Sequence, residues 1–221
     1  MSNVEWQELG NQIHACQKCK LVKSKKILGE GSISSDIVLV GESPGEQEEK
    51  TGKLFVGKSG ELLTDILTIV GISRKDIYIT NIVKCHPPNN EVTTDSALSC
   101  QSWLFKELEI IKPKIIIPLG AFATSFFIKD MSKISDVRGK WIQCGDYKVI
   151  PTFHPAYVLH GGGPMAKDHI ISDFLKVRSE LMGINDKVKA IKIKSKLLND
   201  TILVGEGGVS LSELWSNLKQ Q

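Results

Sequence analysis

Short apolar runs alternate with longer stretches of helical periodicity, and this alternation limits the fold of the chain more than any other property. Asp36-Ile-Val-Leu-Val40, Ile77-Tyr-Ile-Thr80 and Lys114-Ile-Ile-Ile-Pro118 are too short for helices and carry little polarity inside. Runs of that kind are strands covered on both faces, as in a parallel sheet. Between them, Leu62, Leu63, Ile66, Leu67 and Val70 recur at helical spacing and stop at Gly71. Further helices are expected over residues 3–15, from Thr94 or Asp95 to about Ile111, from Gly120 through Phe127, and from Pro164 to about Leu181. Trp141–Gln143 and Lys148–Thr152 read as a hairpin whose second arm supplies a fourth core strand. The expected class is α/β: a three-layer α/β/α sandwich with a central four-stranded parallel sheet. Residues 1–183 make up this domain. Residues 184–221, where the alternation weakens, read as a carboxyl-terminal extension.

Open sheets of this kind bind ligands beyond the carboxyl ends of their strands. Gly41-Glu42-Ser43-Pro44-Gly45, Asn81 and Phe153-His154-Pro155 all fall at such ends and point to one cleft. Within the first loop, Gly52-x-x-x-x-Gly57-Lys58-Ser59 has the spacing of a phosphate-gripping P-loop. Its context argues against a nucleotide hydrolase. A P-loop follows its strand directly, whereas Gly52 comes twelve residues after Val40, behind Glu46, Glu48 and Glu49. No second strand ends in a magnesium-binding Asp. The start of the helix at Gly57-Lys58-Ser59 suits at most a single phosphate, such as one of a DNA backbone.

Five cysteines in a chain with no apolar signal core and no 18-residue apolar stretch read as reduced thiols or metal ligands inside the cell. The expected location is cytoplasmic, with no membrane partner. Cys16-x2-Cys19 and Cys85-x14-Cys100 give four thiols in two pairs, and the first pair can meet a single metal. Four thiolates suit zinc or an iron–sulfur cluster, and spacing does not choose between them. Cys144 reads as a plain thiol. The net charge is only +3, but Lys18, Lys20, Lys23, Lys25 and Lys26 form one basic run and Lys187–Lys196 contains another. Such runs are solvated faces or phosphate contacts.

Together, "VGESPGEQEEKTGKLFVGKSGELL", "ITNIVKC", "FHPAYVL" and the four-cysteine spacing resemble the family 4, iron–sulfur uracil-DNA glycosylases. The likeness covers roughly residues 10–182. It implies a [4Fe–4S] cluster of structural role held by Cys16, Cys19, Cys85 and Cys100, and excision of uracil from DNA by a monomer. Residue by residue, it gives Glu42 and His154 the catalytic positions. It places Phe55 as the ring that stacks on the base, Asn81 as the base-reading amide, and Glu48 as a further pocket residue, with Gly41 and Ser43 flanking. Ser43 stands where the family often has Ala. A branch of the superfamily that traps DNA covalently carries a basic, His-containing insertion after the third cysteine. Here that segment is the short His86-Pro-Pro-Asn-Asn-Glu-Val.

The residue types suit the implied reaction. Uracil must be flipped out of the duplex, at a cost of a few kcal/mol. An aromatic ring can return about 1–3 kcal/mol by stacking. One amide offers the donor and acceptor that match uracil N3–H and O4 and mismatch cytosine. A neutral His can hold charge developing at O2. A Glu can stabilise the sugar cation and direct water to C1′. With no lysine evidently in the cleft, a monofunctional glycosylase leaving an abasic site is expected. The competing reading is a non-catalytic or covalent uracil-DNA-binding relative. Tyr157-Val-Leu159 is a candidate wedge for the base stack. Val209-Ser-Leu-Ser-Glu-Leu-Trp215 loosely resembles a segment that docks on a sliding clamp.

Overall fold

The computed structural model describes residues 3–182 apart from Asp130 and Ser132. Its six strands are β1 (Glu30–Gly31), β2 (Ile37–Gly41), β3 (Tyr78–Asn81), β4 (Ile115–Pro118), β5 (Ile142–Cys144) and β6 (Tyr147–Val149). They form one sheet in the order β1-β3-β2-β4-β6-β5. The four central strands, β3, β2, β4 and β6, run parallel, as expected. The expected sheet is widened by two antiparallel edge strands, β1 against β3 and β5 against β6. A two-residue edge strand has too little periodicity to be seen in sequence.

The helices are α1 (Asn3–His14), α2 (Glu46–Thr51), α3 (Lys58–Val70), α4 (Thr94–Ile111), α5 (Gly120–Ser125), α6 (Ile134–Val137), α7 (Pro155–Tyr157) and α8 (Gly163–Leu181). Because strand side chains alternate between faces, each apolar strand feeds two cores. Ile37, Leu39, Ile79, Ile115 and Ile117 join Leu63, Ile66, Leu67, Ile170 and Phe174 of α3 and α8 on one face. Val38, Val40, Tyr78, Ile116 and Val149 join Leu9, Ile13, Leu104 and Leu108 of α1 and α4 on the other. This arrangement is the three-layer sandwich.

No helix among the described residues is long and apolar enough to cross a membrane. The extension from residue 184, with its basic run and the clamp-like segment, lies outside the described residues.

Candidate active site and cysteine cavity

The carboxyl ends of the parallel strands do meet. Gly41 ends β2 directly beside Asn81 at the end of β3. Leu119, just past β4, bridges Thr152, which leads into Phe153 and His154. The strand pairing continues beyond Asn81, with Ile82 N–H donating to Gly41 O and Val83 N–H to Glu42 O. Glu42 is thereby fixed at the rim of the cleft, and Ser43 follows it in the turn before α2.

Three side chains converge on one small space. The Phe55 and His154 rings lie 6.0 Å apart between centroids, with 29° between their planes. A Cβ added to Gly41 would sit 2.3 Å from Asn81 Oδ1 and 2.9 Å from Phe55 Cζ. Only the absence of a side chain at Gly41 lets the amide and the ring approach from either side. Asn81 is 3% exposed, and its Oδ1 is buried without a hydrogen-bond partner. An orphan buried acceptor costs stability, on the order of 1–3 kcal/mol, and in a native protein calls for a role.

His154 has a defined tautomer. Its Nδ1 accepts the Ala156 backbone N–H at 3.1 Å, so the ring proton belongs on Nε2. Burial pushes its pKa down to about 4, against a smaller upward pull from Glu48. The imidazole is therefore neutral at physiological pH. Burial raises the Glu42 carboxyl above its ordinary value.

Phe55 is held in an unusual way. It has a positive φ of 49°, a costly conformation for a bulky residue, and it is also part of the buried core. Its loop is pinned from both ends. Arg74 donates to Phe55 O at 3.2 Å and Leu54 O at 2.7 Å, and it pairs with Glu30 at 2.7 Å. The loop also passes close over α3: a Cβ on Gly60 would lie 1.9 Å from Phe55 O, so only glycine fits there.

Glu48 completes the clamp. One carboxylate oxygen accepts Val56 N–H at 2.9 Å and Gly57 N–H at 3.1 Å, and the other accepts Gly45 N–H at 3.2 Å. The first loop, which carries the P-loop spacing, thus contains the short helix α2, and Glu48 ties the start of that helix to the Val56–Gly57 turn. These contacts make Glu48 the organiser of the Phe55 loop. They also explain the P-loop spelling: amides that would wrap a phosphate are taken by the chain's own carboxylate.

In the wedge segment, the Tyr157 ring packs on Phe153 at 5.1 Å and Val158 packs against the core. Leu159 is 46% exposed. His86 is engaged at both ring nitrogens, by Glu49 at 2.8 Å and Asn90 at 3.1 Å.

Cys16, Cys19, Cys85 and Cys100 line a single cavity with Lys18, Lys26, Lys84 and Trp103. Trp103 Nε1–H donates to Cys16 Sγ and Lys84 N–H to Cys100 Sγ, each at 3.3 Å. Burial, reinforced by the other cysteines, pushes Cys85 up to about 12. Among the described residues, no three Cys, His, Asp or Glu are grouped so as to hold a metal ion. Part of the amino-terminal basic run wraps this cavity, where Lys18 lies 4.0 Å over the Trp103 ring. Cys144 lies elsewhere and donates to Phe127 O at 3.2 Å.

Sequence reading missed the buried charges behind the site. Lys84 and Glu107 pair at 2.6 Å beneath β3. Asp173 accepts from Arg138 Nε at 3.0 Å and from Thr152 Oγ1 at 2.7 Å, which fixes the strand end that leads to His154. Burial raises the Asp173 carboxyl even though Arg138 and Thr152 pull it down. The only signal available was a charged residue in an otherwise apolar run, with nothing to name its distant partner.

Residues 28–175 match the uracil DNA glycosylase superfamily. The chain is 43% identical over 177 residues to a type-4 uracil-DNA glycosylase of Thermotoga maritima, an alignment covering 77% of this chain and 92% of the relative. It is 42% identical to one from Saccharolobus solfataricus (78% and 85% covered) and 40% identical to one from Archaeoglobus fulgidus (80% and 92% covered).

Proposed function

Because the chain belongs to the uracil DNA glycosylase superfamily, we propose that it is a uracil-DNA glycosylase that hydrolyses the N-glycosidic bond of a flipped-out deoxyuridine and leaves an abasic site. The observation that carries this reading is the unpartnered Asn81 Oδ1, buried at Gly41 where the Phe55 ring also approaches, with the neutral His154 stacked near that ring. Such an acceptor awaits a donor, and uracil N3–H is one. The same amide's N–H2 then meets O4. Cytosine has an acceptor at N3 and an amino group at C4, so it would leave both groups of Asn81 unpaired.

The remaining residues divide the work. Phe55, preset at its positive φ, offers a face for the extruded base. His154 Nε2–H donates to O2, where negative charge grows as the bond to C1′ lengthens. Glu42, ionised, faces the positive charge on the sugar and directs water to C1′. Glu48 acts through the backbone amides it holds. Leu159, exposed to about the same degree as Tyr157 but without that ring's packing on Phe153, fills the gap left in the duplex. Lys84 is not a Schiff-base nucleophile, since it is 1% exposed and its ammonium group is tied to three oxygens.

The cysteine cavity supports a [4Fe–4S] cluster held by Cys16, Cys19, Cys85 and Cys100. The donor set is all sulfur, with amide and indole N–H groups aimed at two of the thiols. An all-sulfur set suits zinc or an iron–sulfur cluster, and the resemblance to the family 4 glycosylases favours the cluster. The bound cluster would supply crosslinks between α4, the segment after β3 and the Cys16–Cys19 turn. Replacing Cys100 with Ser is expected to give protein lacking iron and its brown colour, with a lowered melting temperature. Iron and zinc analysis of the purified wild type decides between the metals.

The test of function is release of free uracil from oligonucleotides carrying U:G, U:A or single-stranded U. Release without strand cleavage supports the proposal. No released base on any substrate, or a protein–DNA adduct that survives denaturation, overturns it in favour of a binding or trapping relative. His86, with both ring nitrogens already bonded, is poorly placed to trap.

A further inference from the structure

The Lys84–Glu107 pair is the most deeply buried charge pair of the described residues, with side chains 2% and 1% exposed. Lys84 lines the cysteine cavity, and its side chain runs from there to the backbone of Asn81. The Lys84 ammonium donates to Thr80 Oγ1 at 2.6 Å, to the main-chain carbonyl of Asn81 at 2.8 Å and to Glu107 Oε2 at 2.6 Å. All three of its protons are thereby used. Glu107 is oriented in turn by Tyr78 O–H at 3.1 Å and Thr80 O–H at 2.8 Å. The Lys84 backbone N–H meets Cys100 Sγ, its carbonyl accepts Ile27 N–H at 2.8 Å, and Cys85 is the next residue.

Burying such a pair is expensive, and apolar residues of similar size would pack here at least as well. What the pair gives that apolar residues would not is a fixed direction for one carbonyl. We propose that Lys84 is a positioning residue for base recognition: its ammonium group fixes the backbone of Asn81 while its own backbone is anchored at Cys100, so the base-reading amide takes its position from the cysteine cavity. The proposal rests on Asn81 reading the base. A misplacement of about 1 Å can cost on the order of 10²-fold in rate.

The test uses the full-length, metal-loaded protein. Lys84→Met alone would strand the Glu107 carboxylate, so Lys84→Met/Glu107→Gln is the main variant: it removes both charges, its amide oxygen can still accept from Tyr78, and its N–H2 can donate to Thr80 Oγ1, which no longer receives the Lys84 proton. The expected result is iron content and melting temperature close to wild type, KM for uracil-containing DNA within about twofold, and single-turnover excision down about 10–100-fold. The side-chain amide resonance of Asn81, assigned by its loss in Asn81→Ala, is expected to shift in the same variant. An unchanged rate and resonance in a loaded, folded variant overturns the proposal. Loss of iron or folding alongside the rate also overturns it and makes the pair a staple only. If the wild type releases no uracil, the proposed function fails, and the Asn81 resonance still decides whether Lys84 sets that side chain.

Discussion

Replacing Asn81 with alanine is expected to lower kcat/KM for uracil release by at least about 10³-fold while leaving the fold intact or slightly more stable. The two effects share one cause. In the free protein Asn81 Oδ1 is buried without a partner, so the unliganded state carries the cost of a desolvated acceptor. On the proposed reading, uracil would remove that cost when its N3–H arrives, and a base without the matching donor would not. Sites built to hydrogen-bond a substrate group reject analogues that lack it by roughly 10⁴–10⁵. Truncation discards this selectivity along with the orphaned acceptor. Single-turnover excision and a thermal melt, run on the same preparation, check both parts. A sharp fall in melting temperature with the loss of activity would make Asn81 a structural residue, and near-normal excision would remove it from the site.

His154→Ala is expected to cost about 10²–10³-fold in kcat, the usual loss when one preorganised donor to a developing oxyanion is removed. Its pH behaviour is more telling. Burial holds the imidazole neutral down to about pH 4, whereas Glu42 is raised above the ordinary carboxyl range. As pH falls, Glu42 takes up its proton first, and the charge proposed to direct water and face the sugar cation would be lost. The acid limb of kcat/KM is therefore expected above the pKa of an ordinary glutamate, and it should persist in the weakened His154→Ala enzyme. An acid limb that vanishes with His154 would mean that the imidazole, not Glu42, sets it.

Stability follows the opposite partner. The folded pKa of His154 lies below the unfolded value of about 6.5, so the unfolded chain binds a proton that the folded chain refuses. Stability drains away as pH falls through the window from about 6.5 to about 4. Denaturant melts across that window should show a smaller decline for His154→Ala than for wild type.

The parallel core was legible because its strands are buried on both faces and therefore spelled in apolar runs. The strand from Ile115 to Pro118 is bounded almost as its sequence suggested. The adjacency of strand ends followed from the general geometry of such sheets: Gly41 ends beside Asn81, and His154 lies near Phe55, which also approaches Gly41. What sequence could not show were pairings over long separations. Glu30 with Arg74 braces the loop that carries Phe55, and Lys84 with Glu107 braces the strand end at Asn81, yet neither pair leaves a local periodicity. Helix α2 was missed for a related reason. Its six residues, EQEEKT, have no apolar face, and it is held by the Glu48 carboxylate bonding to backbone amides beyond both ends. Phe55, expected from the resemblance as a base-stacking ring, is also a member of the buried core, which its Gly-bounded loop did not reveal.

Strands of two and three residues, both antiparallel to their neighbours, close the two margins of the sheet. Ladders that short give an incoming peptide almost nothing to extend. With its described margins capped in this way, the sheet offers a neighbouring molecule little to zipper onto edge to edge, and copies crowded together are not seeded into one extended sheet through these strands.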